Sequence, residues 1–561
     1  MDAVKTIRTV CRSCHGGCGV IAHVGNGKVI KVEGDPDSPI SHGTLCSKGL
    51  AVTQLAYAPD RILHPMKKTG RGWERITWDE ALDTITQKFK AVIKDFGPES
   101  IVVGQGTGRD YESHLYRFTN QLGTPNVLTA GHMCYVSRIA STLVTIGNLP
   151  ICDYAGGPKC SVLWACNPQW TNPDEYKGEN FWTAYKKGAK LICIDPRKGF
   201  TAKKADLWLQ LRPGTDGALA MGFHNVILEE ELYDSEFTDN YINGWDAFKE
   251  RVKDYPLEKV QEITWVDKDL IRKAARLYAK TKPACIHWGV PTEQTNNCAD
   301  CTRILTGLMA ATGNLDVPGG NVLYVNPPTR TVAEFARHKD LSREVRAKRL
   351  GGDRYKLGAR VAYITPKVAW EAILTGKPYP LKAGLLCGTN PVTTRANARE
   401  AYQALDKLEF LAVIDFFLTP TAELADIFLP AGTWLEQNHV SDNWKRHGYA
   451  LARQKCVEIG EARQHHKIFQ ELGKKMGQQW WETVEDALEY MLEPTGLNWE
   501  KFKEKGWLQG EMVYHKYKER GFSTPTGKVE LYSTVLEKWG YDPLPKYTEL
   551  PESPASTPEL L

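Results

Sequence analysis

The chain lacks any apolar run of about 18 residues, so it offers no candidate membrane-spanning helix. It also lacks an excess of charge of one sign. Its 71 Lys and Arg residues stand against 67 Asp and Glu, a net charge of +4. So even a balance gives no basis for a nucleic-acid surface. The opening "MDAVKTIRTVCRSC" lacks the apolar core of a signal peptide and lacks a twin arginine. The expected location is therefore the cytoplasm. Thiols stay reduced there, so the 14 cysteines are expected as free thiols or metal ligands, not disulfides. No solenoid-length repeat and no Walker A pattern occurs. "GQGTGRD" from Gly104 is Gly-rich but lacks dinucleotide-binding spacing.

What is there belongs to a globular protein of several domains. The 561 residues are too many for one ordinary core, and 42% are hydrophobic and 25% charged. Residues 1–60 are Gly-rich and β-like. "GVIAHVGNGKVIKVEGD" predicts two strands joined at Gly25-Asn26-Gly27. From Thr77 the pattern turns helical. "TWDEALDTITQKFKAVIKDFG" has a Thr N-cap, apolar residues at helical spacing and a closing Gly. "SIVVGQG", "KCSVLWACNP", "AKLICIDPR", "LLCGTNP" and "FLAVIDFFLTPTAELADIFLP" are short apolar runs ending in polar, Gly or Pro loops. Their alternation with helical stretches predicts an α/β fold with mainly parallel sheets. Ligands of such sheets bind at loops following the carboxyl ends of the strands. Residues 326–360 predict a basic surface excursion. The Pro-, Ser- and Glu-rich end predicts a linker or tail.

Cys11, Cys14, Cys18 and Cys46 stand out. The first three share one tight loop with Gly16, Gly17 and Gly19. A 4Fe–4S cluster needs one thiolate per iron and a backbone able to wrap it. A four-cysteine zinc site usually shows two C-x2-C pairs, and only one is present in this region. Zinc and four unrelated buried thiols remain the alternatives. The second C-x2-C, Cys298 and Cys301, has no matching pair and predicts core packing on a helix.

Several blocks extend the pattern: "CRSCHGGCGVIAHVGNGKVIKVEGDPDSPISHGTLCSKG", "RITWDEALD", "CIDPRKGFTAKKADLWLQLRPGTDGAL", "GLLCGTNP", "DFFLTPTAELADIFLPAGTWLE" and "TPTGKVELYS". In content and order they resemble the molybdenum/tungsten bis-pterin oxidoreductases, the dimethyl sulfoxide reductase superfamily. The resemblance spans essentially the whole chain. It is nearest to a branch that contains acetylene hydratase and anaerobic aromatic reductases.

The resemblance implies a small N-terminal β-rich iron–sulfur domain (1–62) and two interleaved α/β domains. The second domain joins 63–130 to 380–520 and the third spans 131–325. A connecting excursion covers 326–379. Residues 521–561 would lead toward the family's C-terminal pterin-closing domain, expected on a separate chain or lost by truncation. The implied cofactors are a 4Fe–4S cluster on Cys11, Cys14, Cys18 and Cys46 and a bis-molybdopterin guanine dinucleotide carrying Mo or W. "TAGHMCYVSR" puts Cys134 at the position of the metal's protein ligand, where a soft thiolate suits a sulfur-rich shell. His132, Tyr135 and Arg138 flank it within reach of a substrate. Asn167, Asp195, Arg197 and Asp216 match one nucleotide-binding half. Gly388, Asn390, Asp415 and Thr419 match the other. Lys48 matches a lysine between cluster and pterin, which would favour electron arrival.

The implied function is a redox enzyme that dehydroxylates, deoxygenates or oxidises a small organic substrate, exchanging electrons with an iron–sulfur partner protein. Two alternatives stand beside it. One is a non-redox hydratase or lyase of the acetylene-hydratase type. The other is a catalytically silent iron–sulfur electron-transfer subunit. In acetylene hydratase an aspartate follows the second cluster cysteine, whereas this chain has His15. An imidazole can donate or accept a proton near neutral pH, but it is a different group.

Overall fold

A computed structural model describes residues 4–107, 111–171, 177–441 and 448–560. The chain divides into two compact units. Unit 1 comprises Met1–His132 and Asn326–Gly510, and unit 2 comprises Met133–Val325 and Glu511–Leu561. Among the described residues no helix is long and apolar enough to cross a membrane.

Unit 1 opens with an antiparallel sheet of Lys5–Val10, Gly19–Gly25 and Lys28–Gly34. Asn26 and Gly27 turn the chain with φ of 51° and 71°. This left-handed pair is what Asn-Gly supplies to a two-residue hairpin. The Lys5–Val10 strand adds to the two expected. Its burial is confined to Thr9 and Val10, so its sequence shows little alternation.

The main sheet of unit 1 has the order Gly72–Arg75, Met66–Thr69, Ile427–Pro430, Phe410–Asp415, Ala383–Cys387, Ile101–Gln105, Val127–Leu128. From Ile427–Pro430 to Val127–Leu128 all neighbours are parallel. Its central strands are buried throughout, as parallel strands covered on both faces require. The helix Trp78–Phe96 covers one face. Thr77 caps it by accepting the Glu80 N–H at 3.1 Å, and Gly97, with φ of 86°, ends it. Leu82, Ile85 and Phe89 pack beside Ile101, Leu385 and Phe410. Burying each such side chain contributes about 1.5–3 kcal/mol. Residues 326–379 are anchored rather than loose. Phe335 is fully buried, and its carbonyl accepts from Arg117 Nη1 at 2.7 Å.

Unit 2 is built on a parallel sheet of order Leu207–Leu209, Lys190–Ile194, Cys160–Trp164, Ala284–Trp288. The helices Asp216–Glu229, Lys268–Lys280 and Cys298–Ala311 bury their apolar faces in its core, Cys301 among them. Residues 521–561, expected as a linker, lie within this unit. Val529 pairs with Ile242, Leu531 is fully buried, and Glu549 bridges to Arg212 at 2.7 Å. These few anchors are diluted by the Pro, Ser and Glu around them.

Each parallel sheet changes its winding direction once. In unit 1 the change falls between Ile101–Gln105 and Ala383–Cys387. In unit 2 it falls between Cys160–Trp164 and Ala284–Trp288. Loops leaving such neighbours diverge and open a crevice at the strands' carboxyl ends.

Candidate metal and cofactor site

The cysteine loop closes on itself through a hydrogen bond from Cys11 N–H to the Cys18 carbonyl, 2.9 Å. Gly16 N–H donates to Cys14 Sγ at 3.2 Å. Cys46 reaches the loop from the N-cap of the short helix Ser47–Leu50. Gly49 lies under the cluster of thiols, and a Cβ there would stand 3.3 Å from Cys11 Sγ. Trp434 Nε1 donates to Ser13 Oγ at 3.2 Å, which bonds the Lys48 carbonyl at 3.3 Å, so both halves of the site share one brace.

Burial raises the Cys11 thiol and pushes Cys18 up to about 12, and the neighbouring cysteines add to both shifts. Cys11 feels Cys14 and Cys46, and Cys18 feels all three others. A metal that displaces those protons reverses this cost. Among the described residues no three His, Cys, Asp or Glu side chains are gathered tightly enough for a single ion. Four thiols in mutual electrostatic reach, each left for its own iron, fit a multi-iron group.

The other expected residues sit at carboxyl ends of parallel strands. In unit 1, Gly388 and Asn390 follow Ala383–Cys387, with Gly388 at φ of 53°. Asn390 Oδ1 accepts from Thr421 Oγ1 at 2.7 Å, which fixes the loop. Asp415 ends Phe410–Asp415, and burial raises its carboxyl to about 6. Thr419 Oγ1 accepts the Ala422 N–H at 3.2 Å. In unit 2, Asn167 follows Cys160–Trp164 and accepts from Thr201 Oγ1 at 2.8 Å. Asp195 follows Lys190–Ile194 and takes the Arg197 N–H at 2.7 Å, leaving the Arg197 side chain exposed. Asp216 begins its helix fully desolvated, with a raised carboxyl that accepts from Trp164 Nε1 at 2.9 Å.

Both crevices admit backbone where a side chain would clash. A Cβ on Gly106 would lie 2.3 Å from the Gly388 carbonyl oxygen, and one on Gly289 would lie 2.0 Å from that of Ala165. Only glycine allows such closeness. Loops that allow this close backbone approach, beside Asp415 in unit 1 and Asp195 in unit 2, fit a phosphate-bearing pterin. The tail of the Gly104 loop, residues 108–110, lies outside the described residues.

The segment around Cys134 spans the boundary of the units, which falls between His132 and Met133. In unit 1, His132 Nδ1 donates to the Thr129 carbonyl at 3.1 Å, and burial lowers its imidazole to about 4. In unit 2, Cys134 is half-buried beside Tyr135, Leu149, Ile151 and Tyr324. Arg138 is turned inward. It pairs with buried Glu293, donates to the Trp288 carbonyl at 2.7 Å, and stacks between Tyr135 and Trp288. It braces this region. His15 is half-buried in the cysteine loop and Lys48 is exposed.

Two residues were not legible as site candidates. Glu293 is 155 positions from its partner Arg138. Arg395, at the end of "GTNPVTTR", is half-buried, with its Nε and Nη2 shut off from solvent and no acidic partner among the described residues. The signal was a basic residue in a loop directly after a parallel strand.

Comparison with known proteins bears on the same regions. The Molybdopterin oxidoreductase family matches residues 61–475, and the Molybdopterin oxidoreductase Fe4S4 domain matches residues 4–58. The chain belongs to the molybdopterin oxidoreductase family. It is similar to acetylene hydratase of Syntrophotalea acetylenica, 35% identical over 98% of this chain and 80% of the relative. It is also similar to the thiosulfate reductase molybdopterin-containing subunit of Salmonella typhimurium, 27% identical over 94% of this chain and 75% of the relative. The solved acetylene hydratase from Pelobacter acetylenicus superposes with a TM-score of 0.93 at 34% identity, covering 99% of this chain and 81% of that one. As a member of this family the chain is an enzyme with a 4Fe–4S cluster and a molybdopterin carrying Mo or W.

Proposed function

We propose that the enzyme reduces a small oxidised organic substrate, removing a hydroxyl group or an oxygen atom. Its metal would be ligated by Cys134 and carried by two pterin guanine dinucleotides. When bound, such a centre supplies two-electron redox chemistry at the metal. Asn167, Asp195, Arg197 and Asp216 would hold one nucleotide, and Gly388, Asn390, Asp415 and Thr419 the other. Carboxylates beside open backbone N–H groups suit both the guanine edge and the phosphates. Cys11, Cys14, Cys18 and Cys46 hold the cluster, and Lys48 adds positive charge two residues from Cys46. His132 would stay neutral near pH 7, so its ring could take a proton. An iron–sulfur protein would exchange electrons with the cluster.

The observation that carries this reading is the family match over both the cysteine domain and the α/β body, with Cys134 kept in the expected segment. The test is turnover with a reduced dye across sulfoxides, N-oxides and catechols. Activity on one class is expected, and Cys134→Ala should reduce it by about 100-fold or more, as loss of a metal's protein ligand does. Inertness toward every class would contradict the reading.

A second reading, hydration without net redox change, is favoured by the 35% identity to acetylene hydratase. There the metal would act as a Lewis acid. Turnover with neither electron donor nor acceptor present would establish it. His15, in place of the aspartate that acetylene hydratase keeps, weighs against it.

A further inference from the structure

Arg395 closes the loop that leaves Ala383–Cys387 at the switch point of unit 1. Its backbone is held firmly. Pro391 starts a short helical turn, Arg395 N–H donates to the Pro391 carbonyl at 3.1 Å, and Asn390 is tied to Thr421. The side chain is held at one end only. Nη1 donates to Thr394 O at 3.3 Å and Thr394 Oγ1 at 3.2 Å. Nε and Nη2 are shut off from solvent and have no hydrogen-bond partner among the described residues. These two nitrogens lie along one edge of the planar guanidinium. That edge presents two parallel N–H donors, the fork that matches the two oxygens of a carboxylate or phosphate.

The charge is also uncompensated. Burial pulls the Arg395 guanidinium below its ordinary range, and no acid among the described residues opposes it. A buried cation is normally paired, because taking it out of water is costly. His132 lies within electrostatic reach and offers no negative charge. The group is therefore a half-buried cation whose oriented Nε–Nη2 edge is shielded from solvent, at the end of the sheet where ligands bind.

We propose that the Nε–Nη2 edge of Arg395 is a bidentate seat for an oxyanion, a carboxylate or phosphate borne by the ligand of unit 1. The seat stands on the side chain's own geometry. Only the identity of the anion's carrier rests on the cofactor reading above. The carrier is either the cofactor, through a phosphate, or the substrate, through a carboxylate.

The experiment compares natively purified wild type, Arg395→Gln and Arg395→Lys. It reads metal, pterin and iron per chain, and the affinities for acetate and inorganic phosphate by calorimetry. Loss of two charged hydrogen bonds is expected to weaken the bound anion roughly 10–100-fold. A substrate carboxylate predicts full metal and pterin in Arg395→Gln, with acetate binding weakened by that factor. A cofactor phosphate predicts depleted pterin after dialysis of Arg395→Gln, with iron unchanged. It also predicts phosphate binding that appears in wild type only once the pterin is stripped. Arg395→Lys should recover part of either effect, since an ammonium keeps the charge but not the fork. Wild-type behaviour of Arg395→Gln in cofactor content and in both affinities overturns the seat. Wild type without Mo, W or pterin, but with anion binding that Arg395→Gln abolishes, overturns the cofactor reading and keeps the seat.

Discussion

In unit 1, Gly106 lies against the carbonyl oxygen of Gly388; in unit 2, Gly289 lies against that of Ala165. The two sheets thus reach the same backbone arrangement at their switch points. Their charges differ. Both units pair a buried arginine with a buried glutamate, Arg61 with Glu436 in unit 1 and Arg138 with Glu293 in unit 2, but unit 2 also buries the Asp216 carboxyl, which accepts from the neutral Trp164. At its switch point unit 1 instead leaves Arg395 with no acidic partner among the described residues. Among the described residues, the buried side-chain atoms of unit 2 without a hydrogen-bond partner include the neutral Trp182 and Trp288 Nε1–H groups and the Nε of Arg303, a cation that faces Asp300 at 3.4 Å.

Acid should separate the two units most strongly. Burial lowers His114 and His466 well below the ordinary range and His132 and His465 to about 4 in unit 1, against His224, to about 4, in unit 2. A histidine depressed in the folded state is protonated first in the unfolded chain. Its contribution is complete above pH of about 6.5 and is lost as pH falls toward the folded value, at about 1.4 kcal/mol per pH unit and group. Asp415 in unit 1 and Asp216 in unit 2, both raised, run the other way. Calorimetry between pH 7.5 and about 4.5 should show unit 1 melting first, by several degrees. A single transition moving as one would break the comparison.

Breaking the matched pair comes next. Glu293→Ala leaves Arg138 charged and fully buried, and should cost about 3–5 kcal/mol in denaturant titration. Gly106→Ala and Gly289→Ala should each cost about 2–4 kcal/mol, because each forces a carbonyl to move. Equal losses would sharpen the likeness of the crevices, whereas a neutral result at either would end it. Arg395→Gln should have the smallest effect. In chain purified from cells unable to make the pterin, it should stay within about 0.5 kcal/mol of wild type or gain slightly, since only the two exposed Nη1 bonds to Thr394 are lost and an unpaired charge is removed. A loss as large as that of Glu293→Ala would mean Arg395 has a structural role.

Local signals were easy to read and distant ones were not. Thr77 and Gly97 bracket their helix within one stretch of chain, and Asn26-Gly27 declares its turn. The strand runs announced a parallel α/β fold, and four cysteines announced a cluster. The Arg138–Glu293 pair and the Gly106–Gly388 approach join residues far apart, so no local window contains them. Residues 521–561 misled because composition averages over a segment, while packing depends on a few anchors such as Val529 and Leu531. Arg395 was missed for a further reason. Its importance lies in a missing partner, and a sequence records neighbours but not their absence in space.

The central claim is that the α/β body carries a pterin-bound metal and the N-terminal loop a cluster. Metal, sulfide and pterin analysis of anaerobically purified protein tests it most directly. The account predicts about four irons per chain with matching sulfide, roughly one Mo or W, and pterin guanine dinucleotide. Iron and sulfide without Mo, W or pterin would contradict it and leave an electron-transfer subunit.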